Sequence, residues 1–258
     1  MSKLTVFTFL ALSFGLVSSQ SRIAGGSVTT ILAYPYMTAL LRSSDLVNYA
    51  QNCAGSILTS RSILTSASVF YGDQAVRWRV RAGSSFANSG GTVYNVSQII
   101  IHPYFDYRTL DNDIAILRTG SPIVFSSTIS AGTIANSAYV LPDNQAVYAI
   151  GWGATSYGGP KSEQLRHVQI WSVNQTVCKV RYTAIGYTLT DNMLCSGWLD
   201  VGGRDQCLGD LGGPLLVPDR QGNIIVGISS WTIQCGSARY PGVNTRVSRY
   251  VPWIQANA

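Results

Sequence analysis

Charge is scarce in this chain of 258 residues, with Asp, Glu, Lys and Arg together at only 12%. The net charge of +6 is spread thinly and forms no basic block. That lack argues against nucleic-acid binding, which needs clustered Lys and Arg. Beyond the first residues no stretch of about 18 apolar residues occurs, so no membrane-spanning helix is expected. Helical periodicity is nearly absent, and so are internal repeats and low-complexity tracts. Histidine is limited to His102 and His167, and lysine to three residues. No metal site and no cofactor is expected.

What is present begins at the amino terminus. Met1-Ser2-Lys3 is followed by an apolar run from Leu4 to Val17 and then by Ser18-Ser19-Gln20. A basic start, an apolar core and small residues at Val17 and Ser19 read as a secretory signal peptide over residues 1–19. About 236 residues follow Arg22, enough for one large β unit. Short runs rich in Val, Ile, Tyr and Trp recur between Gly, Ser and Asn clusters. Examples are Trp78-Arg79-Val80-Arg81-Ala82-Gly83 and Ile224-Ile225-Val226-Gly227-Ile228. This spacing predicts an all-β barrel or sandwich. One helix is expected, over the last segment Ser248–Gln255. Asn95-Val96-Ser97 and Asn174-Gln175-Thr176 are acceptor sequons for N-glycans. The basic residues are fifteen Arg against three Lys, and guanidinium keeps its proton far above the lysine pKa. Five cysteines leave one without an intramolecular partner.

The most telling stretch is Asp205-Gln206-Cys207-Leu208-Gly209-Asp210-Leu211-Gly212-Gly213-Pro214-Leu215. It closely resembles the active-site loop of the trypsin-like serine proteases, which carries Ser where this chain has Leu211. The family's histidine motif has its counterpart in Ile63-Leu64-Thr65-Ser66-Ala67-Ser68-Val69, with Ser68 at the base position and Val69 at a cysteine position. The acid of the triad matches Asp113, in Asn112-Asp113-Ile114-Ala115. A leucine side chain cannot form an acyl-enzyme, and a serine hydroxyl is no substitute for an imidazole relay. Neither His102 nor His167 falls at a base position.

The resemblance covers residues 22–258 and implies two packed six-stranded antiparallel β-barrels with a C-terminal helix. It also implies a short activation propeptide, residues 20–22, and a protease domain over 23–258. Cleavage after Arg22 would free Ile23 to pair with Asp210. Asp205 falls at the base of an Arg/Lys pocket whose other positions are Gln206, Ser230, Trp231, Thr232 and Gly242. Thr232 and Gln206 are bulkier than the family's usual residues, which favours a blocked slot over a usable one; Gln206 is also placed to hydrogen-bond Asp205. The N–H groups of Gly209 and Leu211 correspond to an oxyanion hole. The implied disulfides are Cys178–Cys195 and Cys207–Cys235. Cys53 loses its partner to Val69 and is either a buried thiol or a bridge to another chain.

The expectation from these residues is a secreted, catalytically inactive homologue, resembling insect digestive trypsins of an alkaline gut lumen. Its partners would be a protease, a protease inhibitor or an extended peptide. Two alternatives stay open: a fluid protein without a specific ligand, and a serine endopeptidase of trypsin-like specificity.

Overall fold

The computed structural model describes residues 25–220 and 222–258. The expected signal peptide, the activation propeptide, Arg22 and Ile23 lie outside the described residues. A short strand, β1 (Ser27–Val28), opens the described chain. Six strands then close the first barrel: β2 (Met37–Arg42), β3 (Ala50–Ile57), β4 (Ser62–Thr65), β5 (Trp78–Ala82), β6 (Thr92–Ile101) and β7 (Ala115–Thr119). Their ring order is β2-β3-β4-β7-β6-β5. After β8 (Thr133–Ile134) come β9 (Ala146–Gly151), β10 (Arg166–Val173), β11 (Met193–Gly197), β12 (Pro214–Asp219), β13 (Gly222–Trp231) and β14 (Gly242–Arg246). The pairing β9-β10-β11-β14-β13-β12, closed from β12 back to β9, makes the second six-stranded ring. Strand β1 adds to β10, and β8 runs parallel to β13. The expected two-barrel architecture is therefore present.

The sequence shows why these segments are strands. In β5 the side chains alternate, with Trp78, Val80 and Ala82 buried and Arg79 and Arg81 turned outward, the period of two that a one-sided sheet demands. In β4 all four residues are buried. Trp78 and Phe70 anchor the first core, with ring centroids 4.3 Å apart. Closure of both sheets removes their hydrogen-bonding edges.

Among the described residues two α-helices are present where the sequence suggests one. The C-terminal helix, α2 (Val251–Asn257), begins with Pro252 in its first turn and buries Val251 and Ile254. The other, α1 (Gln175–Thr183), goes unseen because it buries only Cys178 and Tyr182. Two apolar positions make no readable stripe. Asn174 caps it instead, its Oδ1 accepting from the N–H groups of Thr176 and Val177 at 3.0 and 3.1 Å. A disulfide joins Cys178 to Cys195 in β11, and a second joins Cys207 to Cys235. Cys53 is a free thiol, 1% exposed, in the core of the first barrel. No helix among the described residues is long and apolar enough to cross a membrane.

Candidate active site

The two barrels meet at Asp113, which is fully buried just before β7. Asn112, the residue before it, adopts a positive φ of 56°, and Thr245 of the second barrel donates to the Asp113 carbonyl at 2.7 Å. The carboxylate takes three hydrogen bonds. Its Oδ1 accepts the Ser68 N–H at 2.6 Å, and its Oδ2 accepts the hydroxyls of Ser68 at 2.9 Å and Ser230 at 2.5 Å. Burial outweighs these bonds and pushes the Asp113 carboxyl up to about 6. Ser68 sits in a turn just past β4 and is half-buried. Ser230 reaches across because β13 carries a register shift between Ser229 and Trp231, a bulge that re-aims one side chain. No sequence signal announces the Ser230–Asp113 contact, since a bulge depends on the pairing of β13 with β14.

The loop from Cys207 to Gly213 lies against the first barrel. The Leu211 carbonyl accepts from the Ala54 N–H at 2.9 Å, the Gly209 carbonyl accepts from Gln51 Nε2 at 2.8 Å, and the Gly212 N–H reaches the Ser229 carbonyl at 2.8 Å. Gly212 has φ of 78°, and a Cβ there would run into Thr65 and the Ala54 carbonyl; only glycine fits. The N–H groups of Gly209 and Leu211 take no partner among the described residues. The Leu211 side chain is half-buried and packs against the first core.

Asp210 is 2% exposed, with Oδ1 accepting the Gly153 N–H at 2.6 Å and Oδ2 the Cys207 N–H at 2.9 Å. Burial pushes it up to about 6, against the opposing hydrogen bonds and the nearby Lys161 ammonium. Its expected partner Ile23 is outside the described residues. Lys161 Nζ itself donates to the carbonyls of Gln51 and Asn52 at 2.9 and 3.3 Å.

A cleft of about 380 Å³ opens over these groups, lined by Ser68, Leu211, Gln206, Ser230, Trp231 and Thr232 among others. Tyr107, Leu110 and Leu208 complete its apolar wall; none of them stands out in the sequence, because they come from separate loops. Asp205 is not among the lining residues. It is 1% exposed and accepts the N–H groups of Gln206 at 2.9 Å and Gly236 at 3.1 Å. Desolvation pushes its carboxyl up to about 8. The expectation that the Gln206 side chain satisfies Asp205 needs correction, since the backbone N–H makes that bond while Gln206 Nε2 is buried without a partner among the described residues. The Thr232 hydroxyl is likewise buried and has no partner among the described residues. Gly242 backs the carboxylate closely: a Cβ there would stand 2.7 Å from Asp205 Oδ1.

The two histidines lie elsewhere. His102 packs among Tyr104, Tyr250 and Trp253, and His167 Nδ1 is 2.7 Å from the Tyr34 hydroxyl. Burial lowers both pKa values. Burial pushes the Cys53 thiol up, so it is held as an unreactive neutral group. No cluster of His, Cys, Asp or Glu able to hold a metal occurs among the described residues.

A family model described as Trypsin matches residues 23–254. Trypsin CFT-1 of Choristoneura fumiferana is 59% identical, over 96% of this chain and 96% of its own. Trypsin, alkaline C and Trypsin, alkaline A of Manduca sexta are each 54% identical, over 96% of this chain and 97% of theirs. These names overturn one expectation. Substitution at Ser68 and Leu211 leads, from sequence alone, to a catalytically inactive homologue that is not an enzyme. Relatives alike over nearly the whole chain are named trypsins, which favours a serine endopeptidase of trypsin-like specificity. The catalytically inactive expectation drawn from Ser68 and Leu211 is thereby corrected.

Proposed function

The chain belongs to the trypsin family, and from that membership we propose that it is a secreted serine endopeptidase of trypsin-like specificity, cutting polypeptides after Arg or Lys. The observation that carries the reading is the full-length similarity to proteins named trypsins. Support comes from the cleft between the barrels, lined by Gln206 and Thr232 among others, and from the Asp205 carboxyl, which is buried and does not line it. A cationic side chain would reach it only through movement of the buried groups around it. Above a pH of about 8 the carboxyl is ionised even without that partner, which suits an alkaline fluid.

Leu211 supplies no nucleophile, so the reading assigns attack to Ser68, whose hydroxyl faces both the cleft and Asp113. Ser68 Oγ bonds to the scissile carbonyl carbon while its proton passes to Asp113 Oδ2. The oxyanion is stabilised by the free N–H groups of Gly209 and Leu211. The C–N bond then breaks, and the leaving amine takes the proton from Asp113. Water adds to the acyl ester, gives a proton to Asp113 and expels Ser68, which recovers that proton. Without an imidazole the route is expected to run about 10²–10⁴-fold slower than one with it.

In the same reading residues 1–19 are the signal peptide and 20–22 the activation propeptide. Asp210 pairs with Ile23 after cleavage, and Asn95 and Asn174 carry glycans. Asn95 is exposed on β6. Asn174 Nδ2 keeps one hydrogen for Asp143 Oδ2, now 2.6 Å away, when the other is replaced by a sugar. The partners are polypeptide substrates and inhibitors that present a basic residue to the cleft.

The test is hydrolysis of Arg and Lys amide substrates by protein cleaved after Arg22. Activity that Ser68→Ala abolishes supports the reading. No hydrolysis, or hydrolysis unchanged by Ser68→Ala, defeats it.

A further inference from the structure

A second cavity, of about 570 Å³, opens on the far side of Val69 and Leu211, which also line the first cleft. Its wall is polar, formed by Arg42, Asn52, Asp73, Gln74 and Arg77 beside the Tyr71 ring. Two guanidinium groups here face one carboxylate. Arg42 Nε donates to Asp73 Oδ2 at 2.7 Å, whereas Arg77 Nε stands 3.7 Å from Oδ1, beyond hydrogen-bond reach. Asp73 also accepts the Trp78 indole N–H at 3.1 Å and the Gln74 N–H at 2.9 Å, so its oxygens are engaged. Arg77 makes no side-chain hydrogen bond among the described residues, and its side chain is 40% exposed. The cavity is left with one unit of positive charge on a planar donor fork. Lys161, bonded to the Asn52 carbonyl behind the wall, adds to the positive field.

Val69 and Leu211 form the boundary that the two cavities share. A chain with its basic side chain in the first cleft and its reacting carbonyl near Ser68 can pass over them into the second cavity. We propose that this cavity selects acidic side chains on the residues following the scissile bond, with Arg77 as the specificity-determining group. The inference rests on the peptide-cleft reading above. Guanidinium matches a carboxylate by paired, parallel hydrogen bonds, and it holds its charge at alkaline pH where an ammonium would lose it. Solvent screening limits the gain. Exposed ion pairs of this kind change affinity by about two- to fivefold.

The experiment uses peptides that cannot be cut, with the amide after a single Arg reduced to an amine. The two residues that follow are Glu-Glu, Gln-Gln or Lys-Lys, and binding is measured by calorimetry at two salt concentrations. The Glu-Glu peptide is expected to bind about two- to fivefold tighter than Gln-Gln, and Lys-Lys weakest. Arg77→Gln should bring the Glu-Glu to Gln-Gln ratio to about one, and added salt should narrow it in the wild type. Equal binding by the three peptides, or a preference that survives Arg77→Gln, overturns the inference and leaves the cleft reading intact. Failure of all three peptides to bind overturns both.

Discussion

Placing an imidazole at position 68 and a hydroxyl at position 211 should convert a slow hydrolytic route into a fast one. In Ser68→His with Leu211→Ser, the new ring faces the carboxylate that now receives both the N–H and the hydroxyl of Ser68, at 2.6 and 2.9 Å. Its space is the 380 Å³ cleft that both residues line. Ser230 holds Asp113 Oδ2 in place at 2.5 Å, and the ring N–H can share that oxygen. Under the proposed function the Gly209 and Leu211 N–H groups, which take no partner among the described residues, would receive the oxyanion. Proton transfer by a positioned base contributes about 10²–10⁴-fold, and that is the gain expected in kcat/KM over the wild type. Shortening Leu211, half-buried against the first core, should cost about 1–2 kcal/mol of stability, less than a full core truncation. Leu211→Ser alone should gain little, because its hydroxyl lacks a base. Ser68→His alone should lose the wild-type activity, because the attacking hydroxyl is gone. The assay is hydrolysis of an Arg anilide by all four proteins after cleavage at Arg22. A folded double variant no faster than the wild type would refute the reasoning, since it would show that the surrounding geometry does not support acyl transfer.

Three further outcomes concern the buried carboxylates, the free thiol and the α1 cap. In the protein uncleaved at Arg22, Asp205, Asp113 and Asp210 have folded pKa values raised to about 8, 6 and 6, so each favours folding most at low pH and loses that contribution as pH rises through its folded value. Thermal stability should thus fall between about pH 4 and 8, and Asp205→Ser should flatten the part between 6 and 8; an unchanged slope would contradict the burial account. Val69→Cys should bridge to Cys53, raising stability by about 2–5 kcal/mol, and thiol titration of the unfolded protein should then read none in place of the one free cysteine. Finally, Asn174→Ala should cost about 0.5–2 kcal/mol through loss of the α1 cap, measured by denaturant unfolding, whereas an equal loss from Thr176→Ala, which leaves that cap intact, would point to a glycan as the source.

Much of the fold is visible in the chain because barrel strands are half-buried surfaces. The alternation in Trp78–Ala82 states which side chains face the core. Helix α1 is invisible for the opposite reason, since a cap and a disulfide hold it rather than an apolar stripe. Asp205, Asp210 and Asp113 are legible as motif residues, yet their burial emerges only from the packing around them. The Gln206 side chain looks placed to satisfy Asp205, but the N–H of the same residue gets there first. Arg42, Asp73 and Arg77 share a cavity because β2 pairs with β5 on the far side of the 68–70 turn, a proximity that no local pattern encodes. Reading function from positions 68 and 211 alone misled for a related reason. It took Ser68 and Leu211 at the base and nucleophile positions as decisive even with Asp113 and the Gly209 and Leu211 N–H groups in view. What stands against it is the full-length similarity to proteins named trypsins, which no residue of the chain displays.

The most direct test is mass spectrometry of the cleaved wild-type protein, trapped with a slowly released Arg ester at alkaline pH. The account predicts one acyl adduct, on the peptide containing Ser68, together with slow release of the Arg acid that Ser68→Ala abolishes. Absence of both adduct and release, or an adduct on a different residue with turnover intact in Ser68→Ala, would contradict it.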